Sequence, residues 1–212
     1  MSIINDGAIS IIIQIILSIL IITDWFSSTI FELGVKKRVV LYIMAGLLMI
    51  FISFPLRSNW EINLGGFVLP IIGYLFILFK RVSSKDKIQV LTATLLLASS
   101  YFLLKELILL EPIILFMKES YQISILLSIL VILIASKQVH RFALILGGIT
   151  FGEFIFNFRH QELLYRVVVG DGEARDVLWI SLLIVLILDN LIIDVKNWFK
   201  KKSKLTITLR IR

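Results

Sequence analysis

The sequence predicts an all-α fold, a polytopic transmembrane helix bundle of about seven spans with its amino terminus outside and its carboxyl terminus inside. Three observations predict it. Hydrophobic residues make up 58% of the 212-residue chain and mean hydropathy is +0.97, whereas soluble proteins hold roughly 45–50% apolar residues. A chain of this size could not hide so much apolar surface from water. The charged residues, 17% of the total, fall largely between long apolar runs. Finally, Lys and Arg are distributed unequally between alternate connections, the asymmetry that orients membrane helices.

Residues 8–31 form the first apolar run. Met1 to Gly7 carries no Lys or Arg and contains Asp6, unlike the basic start of a cleaved signal peptide, so an uncleaved span is expected. Its isoleucine-rich string is too long for a strand. Glu32 to Arg38 reads as a short turn bearing Lys36, Lys37 and Arg38, and Val39 to Leu56 is the second run, with Pro55 near its end. Arg57 to Asn63 is a polar connection. Leu64 to Phe79 is a short, glycine-rich third run, and Lys80 to Lys87 a basic loop. Ile88 to Leu110, the fourth run, is interrupted by Lys105 and Glu106.

Glu111 to Tyr121 connects onward, its PIILFM piece suited to lying flat at the interface. Gln122 to Ser136 is the fifth run, Lys137 to Arg141 a tight basic turn, and Phe142 to Phe158 the sixth. Arg159 to Asp176 is the longest loop. Val177 to Val195 is the seventh run, long enough at about 1.5 Å per residue to cross a ~30 Å hydrocarbon core. Runs three and five fall short of the ~20 residues usual for a span. Residues 1–195 thus read as one transmembrane domain and 196–212 as a basic cytoplasmic tail.

Of the 22 basic residues, three lie in 32–38, four in 80–87, two in 137–141 and seven in 196–212. The other segments hold none, one, two (Lys105, late in the fourth run, with Lys118) and three in chain order. The richer set belongs inside. Trp25, Trp60, Trp179 and Trp198 are all expected near the ends of spans, where indoles favour the interface. The net charge of +7 and pI near 9.7 then reflect orientation and contact with anionic lipid, notably at Lys200, Lys201 and Lys202. No nucleic-acid partner is implied. The absence of cysteine excludes disulfides and thiolate chemistry.

Ionisable groups within the runs need a reason, since each costs roughly 2.5–3.5 kcal/mol at mid-helix. The candidate intramembrane polar site comprises Glu153, Lys105, Glu106, Asp189 and Asp24. Glu153 lies about 18 Å from the inner end of its run at the helical rise and is expected to face the interior. Lys105 is its best partner in depth, and the pair reads either as structural glue or as part of a polar site. Lys105 with Glu106 also reads as a snorkelling pair at the outer headgroups. Asp189 and Asp24 share a depth near the inner side. Their convergence would make a cation or proton site, whereas Asp194 is placed for an interfacial pair with the lysines.

Gly147, Gly148 and Gly152 read as helix-packing residues, 148 and 152 forming GxxxG. Gly65, Gly66, Pro70 and Gly73 would either kink the third run around a site or simply pack. The tail from Ser203 alternates apolar and polar residues, a short-strand pattern that also suits a lipid surface. No P-loop, GxSxG, HExxH or dinucleotide fingerprint occurs. His140 and His160 fall on opposite sides, so no metal or cofactor site is expected, and no mid-helix lysine in the seventh run allows a retinal linkage.

Trp25 with the basic turn Lys36 to Arg38, the Leu91 to Glu106 span and the Gly152-Glu153 pair make the chain similar to the YphA-like family of small multi-pass bacterial membrane proteins. That resemblance implies a bacterial cell membrane, a multi-pass location and no known mechanism. The loops are too short for a soluble catalytic domain. A non-enzymatic protein acting through helix or partner contacts, including its own copies, is therefore expected. The alternative is a small-solute or proton-coupled transporter using the intramembrane acids.

Overall fold

Among the residues that the computed structural model describes, seven α-helices, one in each apolar run, follow one another with alternating direction. The described residues are 6–25, 36–57, 59–162 and 166–210, with the side chains of these except 57 and 193–210. The helices are α1 (Ala8–Ile22), α2 (Lys36–Met49), α3 (Leu69–Lys80), α4 (Lys87–Leu110), α5 (Glu119–Ile134), α6 (Gln138–Arg159) and α7 (Gly172–Arg210). Among the described residues, α4 and α6 are long and apolar enough to cross a membrane, and α1, the 64–80 stretch and α5 are shorter apolar helices.

The two long helices are used differently. Every residue of α6 from His140 to Thr150 is buried, the mark of a helix apolar on all sides and surrounded by others. Helix α4 buries one face, with Val90, Leu97, Ala98 and Tyr101, and exposes Leu91, Leu95, Leu96, Leu103 and Leu107 on the other. Glycines allow the two to approach closely. A Cβ on Gly148 would lie 2.6 Å from Leu97 Cδ2, and one on Gly152 would lie 2.7 Å from the Ala98 carbonyl oxygen. Gly147 faces Tyr74 of α3 as well as Thr94 of α4. On the other side, α5 meets α7 along small serines: Ser124 Oγ donates to the Val177 carbonyl at 3.1 Å, and Ser128 Oγ to that of Ser181 at 3.5 Å.

The all-α expectation omits a small sheet. β1 (Ser53–Arg57) pairs antiparallel with β2 (Trp60–Asn63), and β2 pairs in parallel with β3 (Val167–Val169). The second apolar run therefore stops being helical at Met49. Pro55 lacks the amide a helix needs, and the register shift between Pro55 and Arg57 accommodates it at the sheet's edge. Arg57 to Asn63, expected as a polar connection, is mostly strand. After it, Leu64–Val68 forms a π-helical turn capped by Asn63, whose side chain accepts from the Gly66 amide at 2.8 Å. Gly66 presses against the Gly170 backbone, where any side chain would collide.

Three further expectations change. Lys36 to Arg38 lie in the first turn of α2, not in a loop. Trp179 is buried, 4% exposed, because α7 starts at Gly172 and carries it two turns into the bundle; it packs in the interior instead of anchoring at an interface. The alternating tail is helical, since α7 continues unbroken to Arg210 and a lone two-period strand has no partner edge to pair with. The side chains of Asp194, Trp198 and Lys200 to Lys202 lie outside the described residues.

Candidate functional site

The helix directions gather two groups of charges. One lies where the sheet closes the bundle, the sheet end, and the other at the opposite, tail end. At the sheet end Asp176 is fully buried in the first turns of α7. Helix α1 opens on Gly7, whose φ of 92° leaves no side chain to cap it. Asp176 supplies the cap from across the chain, accepting from the Gly7 amide at 3.1 Å and the Ser10 amide at 2.8 Å. A carboxylate there also complements the positive end of the helix dipole. Lys118 stands 3.6 Å from Asp176 and 3.0 Å from Asp6, tying α5's start to both.

Lys105 reaches the same layer from α4. Its Nζ lies 2.6 Å from Glu119 Oε1 and 3.1 Å from Glu173 Oε2, with the Phe156 ring 5.4 Å away. The expected partnership with Glu153 is therefore replaced: two acids from the starts of α5 and α7 hold the lysine. Glu153 does face the interior, 4% exposed. Its Oε1 accepts from the Gly170 amide at 2.8 Å and from Asn157 Nδ2 at 3.4 Å. Gly170 has φ 80°, and its amide points inward from the turn between β3 and α7. Glu153 thus fastens that turn to α6, directly behind the Gly66 contact.

Glu106 turns the other way, meeting Arg159 Nε at 2.8 Å and His160 Nε2 at 3.5 Å. Lys105 and Glu106 accordingly do not form the neighbouring headgroup pair. Asp171 accepts from the Ala174 amide at 2.9 Å. Burial pushes its carboxyl up, a shift that this hydrogen bond and the nearby Lys105 and Arg175 charges oppose. On the rim, Arg166 pairs with Glu61 of β2.

At the tail end Asp189, 1% exposed, is paired with Arg141, whose Nε donates to the Ala135 carbonyl at 2.7 Å. Asp24 instead pairs with Lys36 at 2.6 Å on the exposed rim. The two acids have separate partners and form no shared site. Asp24 has a second role: its φ of 66° places it in the left-handed position that ends α1. Asp86 lies 2.5 Å from Lys137 and 3.7 Å from His140, and the Lys137 hydrogen bond holds its carboxyl below the usual range. His140 and His160 sit at opposite ends of α6, and no group of three metal-ligating side chains occurs among the described residues.

Sequence reasoning missed Asp176, Lys118, Glu119, Glu173 and Arg141. Each lies in a connection or in the first turn beside one, where a charge reads as solvated. The available signal was depth: these connections adjoin the ends of runs carrying Lys105 and Asp189, so counter-charges for those residues were to be sought there.

The chain belongs to the family of YphA-like integral membrane proteins, whose sequence model matches residues 20–206. It is therefore a membrane protein, and Ile, Leu and Phe side chains of α1 to α5 stand exposed on its outer surface. Comparison with curated proteins and with solved structures gives no match.

Proposed function

We propose that this YphA-like protein is a non-enzymatic, multi-pass protein of the cell membrane that acts through helix or partner contacts. In this reading seven spans cross the membrane, with the amino end outside and the basic tail in the cytoplasm against anionic lipid at Lys200 to Lys202. The observation that carries it is the closed pairing of the candidate acids. Glu153 is engaged by a backbone amide, Lys105 by two carboxylates, Asp189 by Arg141 and Asp24 by Lys36. A transport pathway needs polar groups that exchange partners along one route. These groups are divided between two ends, with the apolar core of α6 between them.

The alternating helix directions and the excess of Lys and Arg on the tail-end connections support the orientation. Reporter fusions after Lys85, Arg141 and Lys204 should all report the cytoplasm, and one after Glu162 the outside. An external signal after Lys85 would overturn the topology. The contact role is tested in proteoliposomes: a proton or cation flux present in the wild type and lost in Glu153→Gln would replace it with transport.

A further inference from the structure

Between α1, α2, α3, α6 and α7 lies an apolar cavity of about 320 Å³, at the lower end of the ~300–1,000 Å³ of small-molecule sites. Leu17, Ile43, Leu146 and Leu182 wall it, and Ile72 and Phe76 stand at its rim, 54% and 45% exposed on the lipid-facing side. It runs from the tail end to about the level of Gly73, roughly 12 Å along α3 from Arg81 at the helical rise. Its charged lining residues are Arg38, in the first turn of α2, and Arg81, the cap residue of α3. No acid lines it, and neither guanidinium has an ion pair or side-chain hydrogen bond among the described residues. A polar hollow adjoins it, lined by Arg81, Ser83, Gln138, His140 and Arg141 together with the paired Asp86, Lys137 and Asp189. Arg81 is the one residue that lines both.

We propose that this cavity is a binding site for one anionic phospholipid of the leaflet at the tail end, with an acyl chain between α2 and α3 and its phosphate on Arg38 and Arg81. An apolar slot opening sideways toward lipid suits a hydrocarbon chain and offers nothing to a water-soluble solute. Two unpaired guanidinium groups at one end present planar donors that match phosphate oxygens. The polar hollow beyond Arg81 receives the rest of the headgroup, where the acids are already neutralised by Lys137 and Arg141 and the unpaired charge is positive. The site depends on the chain's lying in a membrane and not on the number or orientation of spans.

The test uses the full-length protein purified in detergent, with dioleoyl phosphatidylglycerol or dioleoyl phosphatidylcholine added and retained lipid counted by native mass spectrometry. One phosphatidylglycerol should be retained in preference to phosphatidylcholine. Arg38→Gln with Arg81→Gln should weaken retention roughly tenfold or more, given about a fivefold contribution per cation near a lipid surface. Arg38→Lys with Arg81→Lys should keep much of it, and Ile72→Trp at the rim should reduce both lipids. Lys80→Gln with Lys85→Gln, outside the cavity, should change retention less than twofold.

Equal losses in the two double glutamine variants would mean diffuse attraction and overturn the proposal. So would equal retention of the two lipids, or inorganic phosphate competing as well as the lipid. A wild-type measurement guards against a misfolded variant: a photoactivatable acyl chain on phosphatidylglycerol should label residues around Ile43 and Ile72. Labelling spread evenly over the exposed helices, or a chain-to-chain adduct at those residues marking a second copy in the slot, would also overturn it. Fusions that overturn the topology would leave these outcomes unchanged, so the two readings fail separately.

Discussion

At the sheet end Glu153 and Asp176 lie buried and Lys105 half-buried among partners drawn from distant segments, whereas at the tail end most charges stand at an exposed rim. Asp24, Lys36, Asp86 and Lys137 pair there in partial contact with solvent, and neither Arg38 nor Arg81 has an ion pair among the described residues. Among the described residues, Arg141 with Asp189 repeats the buried arrangement there. The difference is one of backbone. The Gly170 turn and the start of α1 give the acids of the first group amides to bind, while the connections at the second group are short. Charges of one kind therefore serve as internal fastenings at one end and remain available to ligands at the other.

The largest effect should come from Asp176→Ala. It removes the acceptor for two amides of α1 and one partner of Lys118, and breaking a buried charged contact costs about 3–5 kcal/mol. Thermal unfolding in detergent should show that loss, with Asp176→Asn losing less because one acceptor oxygen remains. A change below about 1 kcal/mol for the alanine variant would move Asp176 into the rim class and erase the contrast between the ends.

Lys105→Met should come next, at roughly 3 kcal/mol, because it leaves Glu119 and Glu173 facing each other without their cation. Adding Glu119→Gln should recover part of the loss. The same cycle with Glu153→Gln should show weaker coupling, since Glu153 is held by Gly170 and not by the lysine. Stronger coupling to Glu153 than to Glu119 would restore the partnership suggested by depth alone.

Gly152→Ala should cost about 1–3 kcal/mol as an overpacking change, because its new Cβ meets the Ala98 carbonyl at 2.7 Å and backbone cannot step aside. Gly148→Ala meets the Leu97 side chain, which has rotamers to try, and should cost less. If the order reverses, α4 and α6 are held apart at the sheet end more loosely than the fastenings there imply.

Much of the fold was legible because apolar run length and charge punctuation report helices directly: each of the seven runs holds one of the described helices, although the second ends in a strand. The sheet was not, since β1 and β2 span only five and four residues and β3 three, too few for a period of two to stand out. Glu153 faces inward, 4% exposed, as its depth in the sixth run suggested. The partners of the candidate residues were misjudged where a backbone amide, as at Gly170, replaced a counter-charge. Amides leave no trace in side-chain patterns, and a carboxylate fastened to one looks unpaired in sequence.

Asp24 tests the other side of the comparison with the smallest expected effect. As an intramembrane acid it would be irreplaceable; as a rim residue its backbone matters more than its charge. The Trp25 amide donates to the Leu20 carbonyl at 3.1 Å and the Asp24 amide to that of Ile21 at 3.2 Å, the paired bonds of a Schellman ending with Asp24 in the left-handed place. That conformation costs a side-chain-bearing residue about 1 kcal/mol, which glycine escapes. The pair with Lys36 is exposed and worth roughly 0.2–1 kcal/mol. Asp24→Gly therefore loses one small term and gains another, and should leave stability within about 0.5 kcal/mol of wild type. Asp24→Ala loses the pair while keeping the strain, and should fall by about 1 kcal/mol. Raising the salt should shift the balance further toward Asp24→Gly, since screening weakens the wild-type pair and leaves the backbone term alone. Equal losses for Gly and Ala would mean that charge outweighs backbone at this position, and the tail end would then hold a further fastening beside Arg141 with Asp189.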